Sequence, residues 1–127
     1  ISWNSSRAIN DFNSKNLDGA ILTFQASHPK WSYAKCDDDG YVTEVAEKKV
    51  ISKNATVGVY YWKHGSDYVQ SAENMIKKNI RVNNEFYVCP VYNEFFLRNK
   101  KVKTHNVDKM SGLGTPKDLN NFIQTIK

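Results

Sequence analysis

Short apolar runs rich in β-branched and aromatic residues alternate along this chain with stretches whose apolar residues recur every three or four positions. Gly, Pro, Asn or Asp marks most changes from one period to the other. A chain patterned this way is expected to fold as strands interleaved with helices, the α/β class. Ala20 to Phe24 and Thr56 to Trp62 read as strands, the first ended by His28-Pro29. Tyr33 to Cys36 and Tyr41 to Ala46 flank Asp37-Asp38-Asp39-Gly40, whose Asp-Gly pair suits the positive dihedrals of a hairpin turn. A hairpin makes the sheet mixed rather than purely parallel. The three aspartates also invite a calcium reading, but the alternating ligands and distant Glu of a calcium loop are not in place, and a plain turn is preferred.

Helical spacing appears four times. Residues Asn4 to Asn16 place Ala8, Ile9, Phe12 and, just beyond, Leu17 on one face, with Asn or Ser ahead to cap the start. Ser66 is expected to cap a second helix bearing Val69, Ala72, Met75 and Ile76. Pro90 suits the first turn of a third, with Val91, Tyr92, Phe95, Phe96 and Leu97. Thr115 as N-cap and Pro116 at the first helical position start a fourth, with Leu119, Phe122, Ile123 and Ile126 on one face. Between the last two, Lys101 to Val107 alternates as an exposed edge strand does. No repeat, linker or second domain interrupts residues 1–127.

Three Trp, seven Tyr and six Phe among 127 residues supply one real core, and a domain of this size buries roughly two-thirds of its unfolded surface. Disorder is excluded on composition. Apolar runs such as Val57 to Trp62 fall far short of the roughly 20 residues that span a bilayer, so no membrane contact is expected. Eighteen Lys and Arg against thirteen Asp and Glu give a net charge of +5, which suits an anionic ligand without specifying one. Nucleic-acid binding has only that charge behind it and is not expected. Cys36 and Cys89 share no metal-type spacing with His28, His64 or His105, and so few cysteines point to a reducing, cytoplasmic setting. The chain opens with Ile1 rather than Met and without a targeting pattern, so it is expected to be a piece of something longer.

Three segments carry candidate chemistry. Val45-Ala46-Glu47-Lys48-Lys49 leaves a strand and ends in charges. A carboxylate there can accept hydrogen bonds from ligand hydroxyls while the neighbouring ammonium meets a phosphate, although a solvated strand end reads the same way. In Asn83-Asn84-Glu85-Phe86-Tyr87, amides and a carboxylate beside aromatics can grip hydroxyls, or simply form a polar turn. Gly112-Leu113-Gly114-Thr115 leads into a helix whose free amides attract anions or are merely capped. No catalytic triad and no zinc spacing is present.

In order, Asp18-Gly19-Ala20-Ile21-Leu22-Thr23-Phe24, Tyr33-Ala34, Glu47-Lys48-Lys49, Val57-Gly58-Val59-Tyr60-Tyr61-Trp62, Asn84-Glu85-Phe86-Tyr87 and Gly114-Thr115-Pro116-Lys117-Asp118-Leu119 resemble the C-terminal half of a sugar-1-phosphate nucleotidyltransferase. This is the family of glucose-1-phosphate thymidylyltransferases and mannose-1-phosphate guanylyltransferases. The resemblance runs from about Asn4 to Ile126 and is nearest to the nucleotidyltransferase-like proteins of bacterial capsule and lipopolysaccharide synthesis.

What the resemblance implies is half of a Rossmann-like nucleotidyltransferase domain, with a mixed β-sheet and flanking helices, whose N-terminal nucleotide-binding half is absent. The complete enzyme would join a sugar 1-phosphate to a nucleoside triphosphate and release pyrophosphate, with magnesium held mostly by the missing half. Glu47 and Lys48 match the family's pair for the sugar and its phosphate, and Glu85, next to Asn84, matches a carboxylate on sugar hydroxyls. Ala34, after Tyr33, replaces a Gly whose backbone approaches the sugar, and Gly58 matches a Gly beside the pocket. Gly112 stands where the family carries a metal-binding Asp, with Asp108 only a remote substitute, and Lys49 where Pro is common. The chain alone is expected to be inactive and to form a homo-oligomer through the sheet edge its other half would cover. The alternative is a noncatalytic sugar-phosphate-binding or assembly module.

Overall fold

A computed structural model describes all of residues 1–127. Asn4 accepts a hydrogen bond from the Arg7 amide and starts α1 (Ser5–Ser14). The chain then forms β1 (Gly19–Gln25), β2 (Tyr33–Cys36), β3 (Val42–Ala46), β4 (Asn54–Trp62), α2 (Gly65–Lys77), α3 (Val91–Phe96), β5 (Val102–Asn106) and α4 (Pro116–Thr125). The five strands make one sheet in the order β3-β2-β4-β1-β5. β1 runs parallel to β5 and antiparallel to β4, so the sheet is mixed, as expected, and β5 lies at its edge.

Alternation along β1 separates two cores. Ala20 and Leu22 point to one face, where they pack with Ala8 and Phe12 of α1 and with Leu17. Ile21 points to the other and joins Val102 of β5, Ala34, Val42 and Val45 of the hairpin, and Tyr92 and Phe95 of α3. Tyr92 lies flat on Trp62, ring centroids 4.0 Å apart, and its hydroxyl donates to the carbonyls of Tyr61 and Ala20 at 2.8 and 3.2 Å. The side-chain amide of Asn93 both donates to and accepts from the backbone of Val45, tying α3 to β3.

The aspartate turn is built from local polar contacts. The Asp37 carboxylate accepts from the amides of Asp39 and Tyr41, and Gly40 takes the left-handed conformation at φ +86°. The hairpin meets β4 at a single pair, Tyr33 with Ala55, and its far end reaches the opposite edge, where Tyr41 bridges Lys103. β4 is therefore the central strand by order, yet from Val57 to Trp62 no strand pairs with its second edge.

Three helix expectations change. In α1, Ala8 and Phe12 are buried but Ile9, expected on the same face, is exposed. α2 starts after His64 with Ser66 inside the helix, and no side chain caps it. Its buried residues are Asp67, Ser71 and Met75, whereas Val69 and Ile76 are both exposed. α2 turns this face inward because α3 and the segment after it supply the partners: Asp67 pairs with Arg98 at 3.3 Å and lies 3.9 Å from Lys100. In α4, Thr115 caps the Asp118 amide and Pro116 begins the helix as expected, but none of its residues is buried. No helix of the chain is long and apolar enough to cross a membrane.

Candidate functional site

A cavity of about 340 Å³ opens between the β1–β2 loop, Glu47 after β3, residues 56–60 of β4 and the segment 87–89 ahead of α3. Its shape comes from an irregularity in β4. Ile21 pairs with Tyr60 and Thr23 with Thr56, so one residue of β1 faces three of β4, and the surplus bulges. Gly58, at φ +88°, supplies the left-handed conformation the bulge requires and has open space where a side chain would stand.

The floor is a chain of polar groups. The Ser32 hydroxyl donates to the Glu47 carboxylate, and the Thr56 and Tyr60 hydroxyls share a hydrogen bond of 3.1 Å. The buried Cys89 thiol lines the same cavity as Tyr60 and Ser32. Burial pushes that thiol up to about 12 and raises the Tyr60 phenol, so both stay protonated and uncharged near neutrality. Glu47 is then the carboxylate among the lining residues, held by Ser32 and turned to the open space. A carboxylate pinned from behind, beside neutral hydroxyls, can accept hydrogen bonds from a polyhydroxylated ligand.

Lys48 takes a left-handed backbone conformation, φ +55°, and sends its ammonium to the Tyr87 hydroxyl at 3.3 Å, 5.3 Å from the ring centroid. That hydrogen bond, the Tyr87 phenol, and then Glu47 and Glu85 favour its protonated form. Glu85 and Asn84 sit on a turn closed by reciprocal backbone bonds between Val82 and Glu85. Glu85 is near enough to Lys48 to favour its charge, but neither Glu85 nor Asn84 lines the cavity. Tyr33 and Ala34 are fully buried in the sheet, the Tyr33 hydroxyl donating to the His28 carbonyl at 2.7 Å. Of the seven residues marked by the sequence, the structure brings Glu47 and Gly58 to the cavity wall and Lys48 and Glu85 beside it, leaves Asn84 on the turn outside it, and puts Tyr33 and Ala34 beneath the surface.

Sequence reasoning missed Lys30 and Ser32 of the β1–β2 loop, Tyr60 of β4 and Cys89 ahead of α3, which carry no motif that joins the three segments. A second cavity, about 220 Å³, lies between Lys30-Trp31 and the Met110–Thr115 segment with Asp118. Gly112 offers no carboxylate, but a Cβ at that position would stand 3.5 Å from the Asp118 carboxylate carbon. No three His, Cys, Asp or Glu side chains converge in the chain.

This mixed five-stranded sheet with flanking helices is an α/β fold shared with two solved structures. The nucleoside-diphosphate-sugar pyrophosphorylase from Vibrio cholerae RC9 superposes with a TM-score of 0.79 at 24% identity, over 88% of this chain and 48% of that one. CMP:2-keto-3-deoxy-manno-octonic acid synthetase complexed with CTP superposes with a TM-score of 0.56 at 11% identity, over 93% of this chain and 53% of that one. At these identities the likeness is one of fold, and this chain spans about half the length of either protein. No protein-family model and no curated protein matches the chain.

Proposed function

We propose that the chain is the sugar-binding, C-terminal portion of a nucleotidyltransferase that joins a sugar 1-phosphate to a nucleoside triphosphate, in the cytoplasm, for bacterial surface polysaccharide synthesis. The observation that carries this reading is Glu47, held by Ser32 at the wall of a cavity floored by neutral hydroxyls and flanked by Lys48. Hydroxyls of a sugar meet Glu47, and Lys48, with its ammonium already resting on an uncharged phenol, turns to the phosphate. Binding and in-line placement, rather than covalent chemistry, are what such a transfer asks of the protein.

Two observations support the division into halves. The vacant edge of β4 from Val57 to Trp62 leaves room for a strand inside the sheet, and both structural neighbours are about twice as long as this chain. On this reading the other half supplies the nucleotide site and most of the magnesium ligands.

Titration of the chain with hexose 1-phosphates tests the reading. Saturable binding that Lys48→Met weakens about tenfold, with free hexose unaffected, is the expected result. Absence of any binding overturns it. The chain itself is expected to release no pyrophosphate from a nucleoside triphosphate and a hexose 1-phosphate, and sustained release would overturn the assignment of catalysis to two halves. Gly112 favours a second reading, a noncatalytic sugar-phosphate-binding module, because it removes a carboxylate from the segment before α4. Reaction of the complete protein with both substrates separates the two.

A further inference from the structure

The two cavities meet at one place in the chain. Lys30 and Trp31 line both the 340 Å³ cavity that holds Glu47 and the 220 Å³ cavity ahead of α4. Lys30 is the one cationic residue lining either; Lys48, the lysine marked by the sequence, lines neither. The Lys30 ammonium belongs to no ion pair and lies 4.8 Å from the Trp31 ring centroid.

The loop beneath it is tied down. The Lys30 amide donates to His28 Nδ1 at 3.0 Å, and the Tyr33 hydroxyl donates to the His28 carbonyl. Trp31 packs edge-on against Phe24 of β1, ring centroids 5.2 Å apart. A flexible cation thus stands on a fixed base. Charges on either side confine where an anion can rest. Glu47 occupies the first cavity and Asp118 the wall of the second, and both repel it. The position between them, at Lys30, is the electrostatically favoured one.

We propose that Lys30 is a second phosphate-contacting residue, acting together with Lys48, and that the two cavities form one cleft in which a sugar lies against Glu47 and its anomeric phosphate crosses the Lys30–Trp31 ridge towards the second cavity. The proposal rests on the sugar-phosphate reading above and adds a residue to it. An ammonium released from an indole face onto a phosphate exchanges a weak cation–π contact for a charge-assisted hydrogen bond, which favours the exchange. The ridge also sets polarity: the hydroxylated end of the ligand faces the β4 bulge and the phosphorylated end faces the start of α4.

The test compares three probes, α-D-glucose 1-phosphate, D-glucose and inorganic phosphate, titrated into the 127-residue chain and its Lys30→Met and Lys30→Arg variants. Lys30 is exposed on a loop, so the substitutions are expected to leave the fold intact, which circular dichroism checks. If Lys30 holds the phosphate, Lys30→Met weakens glucose 1-phosphate about tenfold or more, leaves glucose unchanged, and Lys30→Arg restores most of the loss. If the chain prefers glucose 1-phosphate to glucose but Lys30→Met changes its affinity by less than about twofold, the role of Lys30 is overturned while the sugar-phosphate reading stands. If the chain shows no preference for the phosphorylated sugar, that reading fails and the proposal fails with it.

Discussion

Ser32, immediately before β2, donates its hydroxyl hydrogen to the carboxylate of Glu47, immediately after β3, so the hairpin closes on the residue that faces the cavity. The contact engages one carboxylate oxygen, and the other accepts no hydrogen bond from within the chain.

In the complete protein, Glu47→Gln keeps the shape but turns one acceptor into a donor. It is expected to alter the relative affinities of hexose epimers more than the affinity for the phosphate group. Ser32→Ala keeps the charge and frees the carboxylate, so it is expected to reduce selectivity among epimers in the same direction but less. Competition binding with epimeric hexose 1-phosphates measures both, and unchanged selectivity in Glu47→Gln would remove Glu47 from the sugar subsite.

Tyr92→Phe leaves the carbonyls of Tyr61 and Ala20 without their hydroxyl donor in the core. The stacking on Trp62 survives, so the loss isolates the hydrogen bonds, at about 1–3 kcal/mol. Urea denaturation of the two proteins gives the difference directly. A change below about 0.5 kcal/mol would mean that water or rearrangement satisfies both carbonyls.

Stability is expected to fall as the solution becomes alkaline. Burial raises the Cys89 thiol from 9.0 to about 12, and burial also raises Tyr60, Tyr92 and Cys36. Above the ordinary thiol value the unfolded chain loses a proton that the native chain keeps, and stability therefore decreases with pH. The contribution of Cys89 is complete below about pH 9 and is lost progressively between about 9 and 12. Denaturation midpoints measured from pH 7 to pH 10 are expected to drop at the alkaline end, and to drop less in Cys89→Val.

The free edge of β4 from Val57 to Trp62, together with exposed Val59, is expected to drive association between copies of the chain. Sedimentation velocity across a concentration series should show a rising share of dimer. A single monomeric species at the highest concentrations reached would count against the edge as an open joint.

The strand and helix positions were legible because their signals are local. Asn4 and Thr115 cap the helices that follow them, Asp37 and Gly40 shape the hairpin turn, and β1 alternates between two cores, each within a few residues of chain. Gly58 stood out as a small residue in an apolar run, and Glu47-Lys48 as charges at a strand end. The burial of α2 was not legible: period alone groups Val69 with Met75 and Ile76, but a helix buries whichever face its neighbours can cover, and here Arg98 and Lys100 draw in Asp67. The cavity was equally beyond a linear reading, because Lys30, Ser32, Tyr60 and Cys89 come together only when β1, the hairpin, β4 and the approach to α3 are assembled. Local backbone preferences act over one turn of helix or hairpin and are written in neighbouring residues; which surfaces meet depends on the register and crossing of elements distant in sequence, and that is settled only by packing the whole sheet.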